Sequence, residues 1–240
     1  MKDFLLAIVR FIVGLALLFI AAALVWTLCV LPLGNVSREN VAWPALIGFG
    51  CGVLFFTLVS RILVLYVFGH ELTHWFAAKL FLRDTGDVEV GSSGGSVAIQ
   101  KPNLWITLAP YFVPFYTLVW IGIFGIYRFA YGYPPPAMAL KIVYAGIGIT
   151  YAFHVTLTVY SLLREQTDLR HHGQFMSLAL ILCVNILVLT AGLLTVSHRW
   201  TQGSQFFVKR VGLEWQGVAN ASHWVAEQST ALFAWGRNLF

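Results

Sequence analysis

The chain contains 240 residues, of which 59% are hydrophobic and only 10% are charged. Soluble domains are roughly half apolar and a quarter charged, so this composition excludes an ordinary water-soluble globule and leaves no room for a large soluble domain. The formal net charge is +5 without any basic run, which suits anionic lipid headgroups and argues against nucleic acid as a partner.

Two long apolar runs open the sequence. The first covers 4–33 and exceeds the roughly 7 to 15 apolar residues of a secretory signal, so we predict a retained transmembrane helix in an N-terminal unit, 1–40. The second run extends from about 41 to 82. Because no Gly or Pro lies near Arg61 to turn the chain, this run predicts one helix that spans the membrane over 52–82. Its expected points of tilt or kink are Pro44, Gly48, Gly50 and Gly52.

Three further apolar runs each approach the ~20 residues that a membrane-spanning helix needs, at 104–127, 138–163 and 175–196. The sequence therefore predicts an all-α polytopic membrane protein with about five transmembrane helices, whose functional core covers 41–196. We expect an integral, multi-pass protein of a bacterial plasma membrane. The lipid bilayer is accordingly its expected surrounding.

The C-terminal segment, 197–240, is more polar and has a helical period. Its apolar positions are Phe207, Val211, Trp215 and Val218, with charged residues between them. The pattern predicts an amphipathic helix lying in the membrane interface, anchored by Trp200, Trp224 and Trp235. The alternative is a poorly ordered tail.

The motif His70-Glu71-Leu72-Thr73-His74 lies inside the second apolar run. On a helix, residues four apart point the same way, so His70 and His74 can bind one metal ion with Glu71 beside it. Zinc is the expected ion, and Glu71 is the expected general base for attack on a carbonyl. Ionisable groups are costly in a membrane helix, so a functional site is a better explanation than an interhelical polar network.

A catalytic zinc site usually takes three protein ligands, so a third is needed from elsewhere. The polar cluster 164–173 lies between the last two predicted spans and contains two carboxylates, Glu165 and Asp168. Either can serve as the ligand, and either can be an ordinary solvated charge.

His154 is the remaining histidine in a predicted span. We expect it to line the substrate cleft and to steady the oxyanion of the attacked carbonyl, or else to form an interhelical hydrogen bond.

The segment 87–100 follows the motif and predicts a small β-hairpin, with a polar connector as the alternative. Apolar residues alternate with polar or small ones on both sides of a Gly/Ser turn. These residues are Val88, Val90, Val97 and Ile99. An open hairpin edge beside a metal helix can bind an extended peptide as an added strand.

Taken together, an H-E-x-x-H in a membrane helix, a hairpin after it, a proline-bearing third span and a later aspartate resemble the site-2 protease family of intramembrane zinc metalloproteases. The resemblance covers about 52–196. It implies zinc on His70, His74 and Asp168, Glu71 as the base, a substrate-binding hairpin, and a membrane protein as substrate.

Two other functions remain open. A membrane zinc protease of the class with a glutamate ligand would use Glu165 in place of Asp168. A non-catalytic metal-binding scaffold is the alternative outside enzymes, although such a site has no need of Glu71. The spacing of Gly48 and Gly52 can bring helices close together. A homo-oligomer or a regulatory membrane partner is therefore a further expectation.

Overall fold

The computed structural model describes residues 2–31, 42–59, 63–91, 94–132, 136–163, 167–196 and 199–237. The helices are α1 (Lys2–Val30), α2 (Ala42–Leu58), α3 (Leu63–Leu80), α4 (Leu104–Phe112), α5 (Phe115–Tyr131), α6 (Ala137–Leu162), α7 (Thr167–His172), α8 (Gln174–Val196) and α9 (Trp200–Arg237). The strands are β1 (Thr85–Val90) and β2 (Gly95–Ile99). The prediction of a mostly helical chain with one small hairpin is confirmed.

Within the described residues, three helices are long and apolar enough to cross a membrane: α1, α6 and α8. Two bent pairs, α2 with α3 and α4 with α5, bring the number to five if each pair counts as one span. The expected five runs are therefore present, but two of them are not straight helices.

The second apolar run was expected to form one helix and instead forms two, α2 and α3, with axes at 112° to each other. A straight helix of about 40 residues would be roughly 60 Å long, twice the thickness of a bilayer core. The two parts also pack differently, since α2 lies along α6 whereas α3 contacts the hairpin and α4. The prediction of one helix, which relied on the absence of Gly and Pro near Arg61, was therefore wrong. Arg61 itself lies outside the described residues.

The third run is likewise divided, into α4 and α5 at 73°. Pro114 lies at the break, and Val113 before it is extended (φ −93°, ψ 109°). A residue preceding proline is pushed away from the helical region, and this explains why α4 ends there.

Small residues bring α2 and α6 into close contact. A Cβ added at Gly48 would lie 2.2 Å from the Ala145 carbonyl oxygen, and one added at Gly148 would lie 2.1 Å from the Ala45 carbonyl oxygen. Larger side chains would push the two backbones apart. In this structure Gly48 and Gly52 pack against the chain's own α6, so they serve intramolecular packing and supply no argument for an oligomer.

The C-terminal helix predicted from the sequence is present as α9, and its first half packs against the rest of the fold. Arg210 lies over the Trp26 ring of α1 at 5.5 Å from the ring centroid, and Phe206 meets the same ring edge-on. Gly203 fits against Leu194 of α8. The distal part carries exposed Trp224 and Val225, consistent with an amphipathic helix.

A buried cluster around α4 joins the elements that carry the polar site. It includes Leu108, Tyr111 and Phe112 of α4, Leu169 of α7, and Leu180 of α8. Gly173 separates α7 from α8 with φ of +92°, a left-handed conformation that ends helices and favours glycine. This packing holds α7 against α4, opposite α3.

Candidate metal centre

The two histidines of the motif lie one turn apart on α3, as the sequence predicted. Their ring centroids are 4.9 Å apart. Gly69 precedes the pair at a point where a Cβ would lie 2.6 Å from the Tyr116 ring, so a residue without a side chain is needed there. The helix can therefore approach α5 closely at the level of the histidines.

Asp168 on α7 completes the group. Its Oδ2 lies 3.9 Å from His70 Nε2 and 3.7 Å from His74 Nε2, and the three potential ligand atoms all lie within 4.8 Å of one another. Tetrahedral zinc with ~2.0–2.1 Å bonds spaces its ligand atoms by roughly 3.3 Å. Small side-chain rotations would close the difference. Among the described residues, this is the group close enough to hold a metal ion, while Glu165 lies outside them.

The donor set fits a catalytic zinc site: two imidazole nitrogens and one carboxylate oxygen, which leave a fourth position open. Burial of Asp168 disfavours its ionised form, but the neighbouring imidazoles and the Tyr111 hydroxyl, which donates to Oδ2, stabilise the carboxylate and hold the pKa of this carboxyl well below its usual range. A metal ligand must be deprotonated, so the arrangement keeps Asp168 in the binding form.

Hydrogen-bond partners at the Nδ1 atom of each ring orient both imidazoles. His74 Nδ1–H donates a hydrogen bond of 2.9 Å to the Ile106 carbonyl, and this leaves Nε2 as the unprotonated nitrogen that faces Asp168. His70 Nδ1 lies 3.3 Å from Tyr66 Oη, which can accept a hydrogen bond from the Nδ1–H group in the same way. The Nε2 atom of each ring therefore faces Asp168, where a metal ion could be bound between the three side chains.

Pro110 explains why the Ile106 carbonyl is free to accept from His74. In a regular helix this carbonyl would bond to the N–H of residue 110, four positions later, but proline has no N–H. The helical bonds on either side, from Thr107 to Asn103 and from Val113 to Ala109, are kept. A proline inside a helix usually destabilises the helix. Here it leaves a backbone carbonyl free to accept a hydrogen bond from a candidate metal ligand.

Tyr111 and Asn185 extend the polar site. The Tyr111 hydroxyl donates to Asp168 Oδ2 at 3.0 Å, and Asn185 Nδ2 donates to the Tyr111 carbonyl at 2.9 Å. Sequence reasoning noted the proline of this span without giving Pro110 a role in the site, and it assigned no role to Tyr66, Tyr111 or Asn185. Only Tyr66 gave a local signal, since it precedes His70 by four residues and shares its helix face.

Glu71 is buried beside the group but does not belong to it. It turns toward the hairpin, where a Cβ added at Gly95 would lie 2.7 Å from Glu71 Cγ. Its carboxylate is not among the ligand atoms that converge within 4.8 Å of one another. Its role as the general base stays a prediction.

The predicted hairpin is present as β1 and β2, which pair with Val88 opposite Val97 and Glu89 opposite Ser96. The four alternating apolar residues, Val88, Val90, Val97 and Ile99, are half-buried, whereas their described neighbours Glu89, Ser96 and Ala98 are exposed. Their side chains therefore fix the hairpin in place, and any strand addition must use the backbone.

His154 does not approach the metal group as a ligand. Its Nε2 lies 3.3 Å from Asn185 Oδ1, and the ring lines a cavity beside His70. The interhelical hydrogen bond expected for this residue is therefore present, while its role in lining a substrate cleft stays a prediction.

Comparison with known proteins gave no family model, curated protein or solved structure that matches this chain.

We predict that Pro110→Ala weakens zinc binding about tenfold, the lower end of the effect of losing a partner that orients a ligand. The new N–H at position 110 would compete with His74 for the Ile106 carbonyl. Zinc competition titrations of the purified protein measure the affinity. NMR of ¹⁵N-labelled histidine reports on the His74 Nδ1–H hydrogen bond.

Pro136→Ala is the control for removing a proline from this fold, because Pro136 lies at the start of α6, away from α3 and α4. It should leave both readouts unchanged. Equal zinc affinity and equal histidine spectra in Pro110→Ala and the wild type would show that the missing N–H has no role in the site.

Proposed function

We propose that the chain is an intramembrane zinc endopeptidase, similar to the site-2 proteases, that cleaves transmembrane or membrane-proximal segments of other proteins. One observation carries the proposal: His70, His74 and Asp168, from two distant segments, converge within 4.8 Å beside the buried Glu71. When bound there, Zn²⁺ would lower the pKa of a water molecule to about 7 and polarise a substrate carbonyl.

The chain's own residues supply the remaining chemistry. Glu71 takes the proton of the attacking water and returns it to the leaving amine, which needs a carboxylate next to the ligands but not bound as one. Tyr66, Tyr111 and the Ile106 carbonyl keep the ligands in one orientation. The side chains of His70 and His74 are largely buried among the helices, so the electrostatic interactions of the site are stronger than in bulk water.

The competing functions are less well supported. Asp168, the ligand of the site-2 class, lies within reach of both histidines, whereas the class with a glutamate ligand would require Glu165 to displace it. A metal-binding scaffold would need the three ligands and their partners but gains nothing from the buried charge of Glu71.

The direct test uses the purified full-length protein in proteoliposomes with synthetic peptides that carry one apolar span. Cleavage detected by mass spectrometry should disappear after treatment with a strong chelator and return when Zn²⁺ is restored. A preparation that binds Zn²⁺ but cleaves no peptide in such a panel would overturn the proposal and favour the scaffold.

The hairpin edge makes a second, separable prediction. The Gly91 N–H bonds to the Gly94 carbonyl at 2.8 Å, and alternation in an antiparallel pair then places the N–H groups of Val88 and Val97 on the outer edges. Proline there removes an outward donor without breaking the ladder. If substrate adds as a strand, Val88→Pro or Val97→Pro should reduce cleavage about tenfold with zinc retained.

Alanine at the same positions is the matched control, because it removes the same side chain and keeps the N–H. If both proline variants cleave as fast as their alanine counterparts, the helices alone hold the substrate.

A further inference from the structure

A buried serine, Ser161, lies beside the metal group in the last turn of α6, with only 5% of its surface exposed. Its hydroxyl makes hydrogen bonds with two tyrosine hydroxyls, those of Tyr66 on α3 and Tyr111 on α4. Tyr66 Oη lies 3.3 Å from His70 Nδ1. Tyr111 Oη donates to Asp168 Oδ2 at 3.0 Å. Ser161 therefore joins the hydrogen-bond partners of two candidate metal ligands that come from different segments of the chain.

The directions of these hydrogen bonds follow from the number of protons available. A serine or tyrosine hydroxyl has one proton to donate, and an ionised carboxylate has none. Asp168 must be ionised to bind a metal ion, so Tyr111 gives its one hydroxyl proton to this carboxylate. The Tyr111 oxygen can then only accept a hydrogen bond from Ser161, and Ser161 uses its own proton to donate it.

The same reasoning extends to His70. Because the Ser161 proton is directed to Tyr111, the Ser161 oxygen can only accept a hydrogen bond from Tyr66. The Tyr66 proton is then committed as well, so the Tyr66 oxygen accepts from His70 Nδ1–H. A neutral imidazole carries one N–H, which leaves His70 Nε2 without a proton. This is the nitrogen that lies 3.9 Å from Asp168 Oδ2.

We propose that Ser161 is a positioning residue that fixes the tautomer of His70 and so prepares its Nε2 atom to bind the metal ion. The inference rests on the metal centre of the proposed function. The hydrogen bonds run in one direction, from His70 through Tyr66, Ser161 and Tyr111 to Asp168, and they begin and end at candidate metal ligands. The negative charge of one ligand thus determines which nitrogen of the other is free.

His70 needs this control because its partner is a hydroxyl, which can either accept or donate. The partner of His74 is the Ile106 carbonyl, which can only accept, so the tautomer of His74 is fixed directly. Without Ser161 as its acceptor, the Tyr66 hydroxyl can instead donate to His70 Nδ1. The imidazole proton would then lie on Nε2, the nitrogen that faces Asp168, and zinc could bind there only after displacing it.

The test is Ser161→Ala in the full-length protein. In the metal-free wild type, NMR of ¹⁵N-labelled histidine should show the His70 proton on Nδ1, with the signals assigned by comparison with His70→Gln. In Ser161→Ala the tautomer with the proton on Nε2 should appear. Zinc affinity, measured by competition with a chelator, should fall about tenfold, the lower end of the effect of losing a partner that orients a ligand.

Two single variants separate this role from packing. Ser161→Thr keeps the hydroxyl and should restore both the tautomer and the zinc affinity. Ser177→Ala removes the hydroxyl of another buried serine, which donates to the Leu169 carbonyl of α7 at 3.4 Å and lies outside the proposed series of hydrogen bonds. It should leave the His70 tautomer unchanged.

A double variant tests whether Ser161 acts through Tyr66. Tyr66→Phe removes the partner of His70 Nδ1, so a mixture of the two tautomers is expected. Adding Ser161→Ala to Tyr66→Phe should then cost little further zinc affinity, because residues that act through one another are not additive. Fully additive losses in zinc affinity would contradict the proposed coupling.

The outcomes for Ser161 and for the protease are distinct. An unchanged His70 tautomer in Ser161→Ala, or the same change in Ser177→Ala, would overturn the role of Ser161 whether or not the protein cleaves peptides. A wild-type protein that binds Zn²⁺ but cleaves no peptide would overturn the protease and leave the role of Ser161 intact. A wild-type protein that binds no Zn²⁺ would overturn both.

Discussion

Glu71→Gln is expected to retain zinc and to lose peptide cleavage by roughly 10²- to 10⁴-fold, the usual contribution of a general base. Glutamine has nearly the same shape, so the contact of this side chain with Gly95 should persist. The amide cannot take a proton from water. Because His70, His74 and Asp168 remain, the metal content should stay at the wild-type level.

The measurement pairs zinc analysis of the purified variant with single-turnover cleavage of a model span. Glu89→Gln is a suitable control, since it removes an exposed carboxylate from the nearby hairpin. A Glu71→Gln variant that cleaves at nearly the wild-type rate would contradict the assignment of the base. Loss of zinc would instead mean that Glu71 is a ligand.

The parts of this site that follow from the sequence are those set by local geometry. His70 and His74 share a face because a helix repeats every 3.6 residues, and Val88 and Val90 share a face because a strand repeats every two. Long apolar runs likewise predict the straight spans α1, α6 and α8. None of these inferences needs to know which segments meet in space.

The parts that could not be predicted depend on contacts between distant segments. Tyr111 and Asp168 are 57 positions apart, and His74 and Ile106 are 32 apart. The sequence shows a proline at position 110 but not that the carbonyl it frees will face a histidine of another helix. For the same reason, the division between α2 and α3 was missed, since it reflects the partners to which each helix packs.

The choice of Asp168 over Glu165 as the third ligand could be predicted only in part from the sequence. The need for a third ligand follows from zinc chemistry, and the polar cluster 164–173 shows where to look. Spacing alone left both carboxylates open, and only the resemblance favoured Asp168. Its approach to the two histidines now supports that choice through contacts that no residue count could supply.

Removal of Asp168 should therefore affect the metal most strongly of all single changes outside the motif. We expect Asp168→Ala to weaken zinc binding by more than about 100-fold, since losing an orienting partner alone typically costs 10- to 100-fold and here the ligand itself is lost. Tyr111→Phe keeps the ring and removes only the donor to Asp168 Oδ2, so its loss should be smaller, about tenfold.

Glu165→Ala completes the series and should bind zinc as the wild type does. Equilibrium competition with a zinc chelator measures all three affinities, and circular dichroism of each variant establishes that the helices are intact. The three variants remove the proposed ligand, a residue that orients this ligand, and a carboxylate close to it in sequence. The order of their losses in zinc affinity therefore identifies the ligand. Strong zinc binding by Asp168→Ala together with weak binding by Glu165→Ala would transfer the chain to the class with a glutamate ligand.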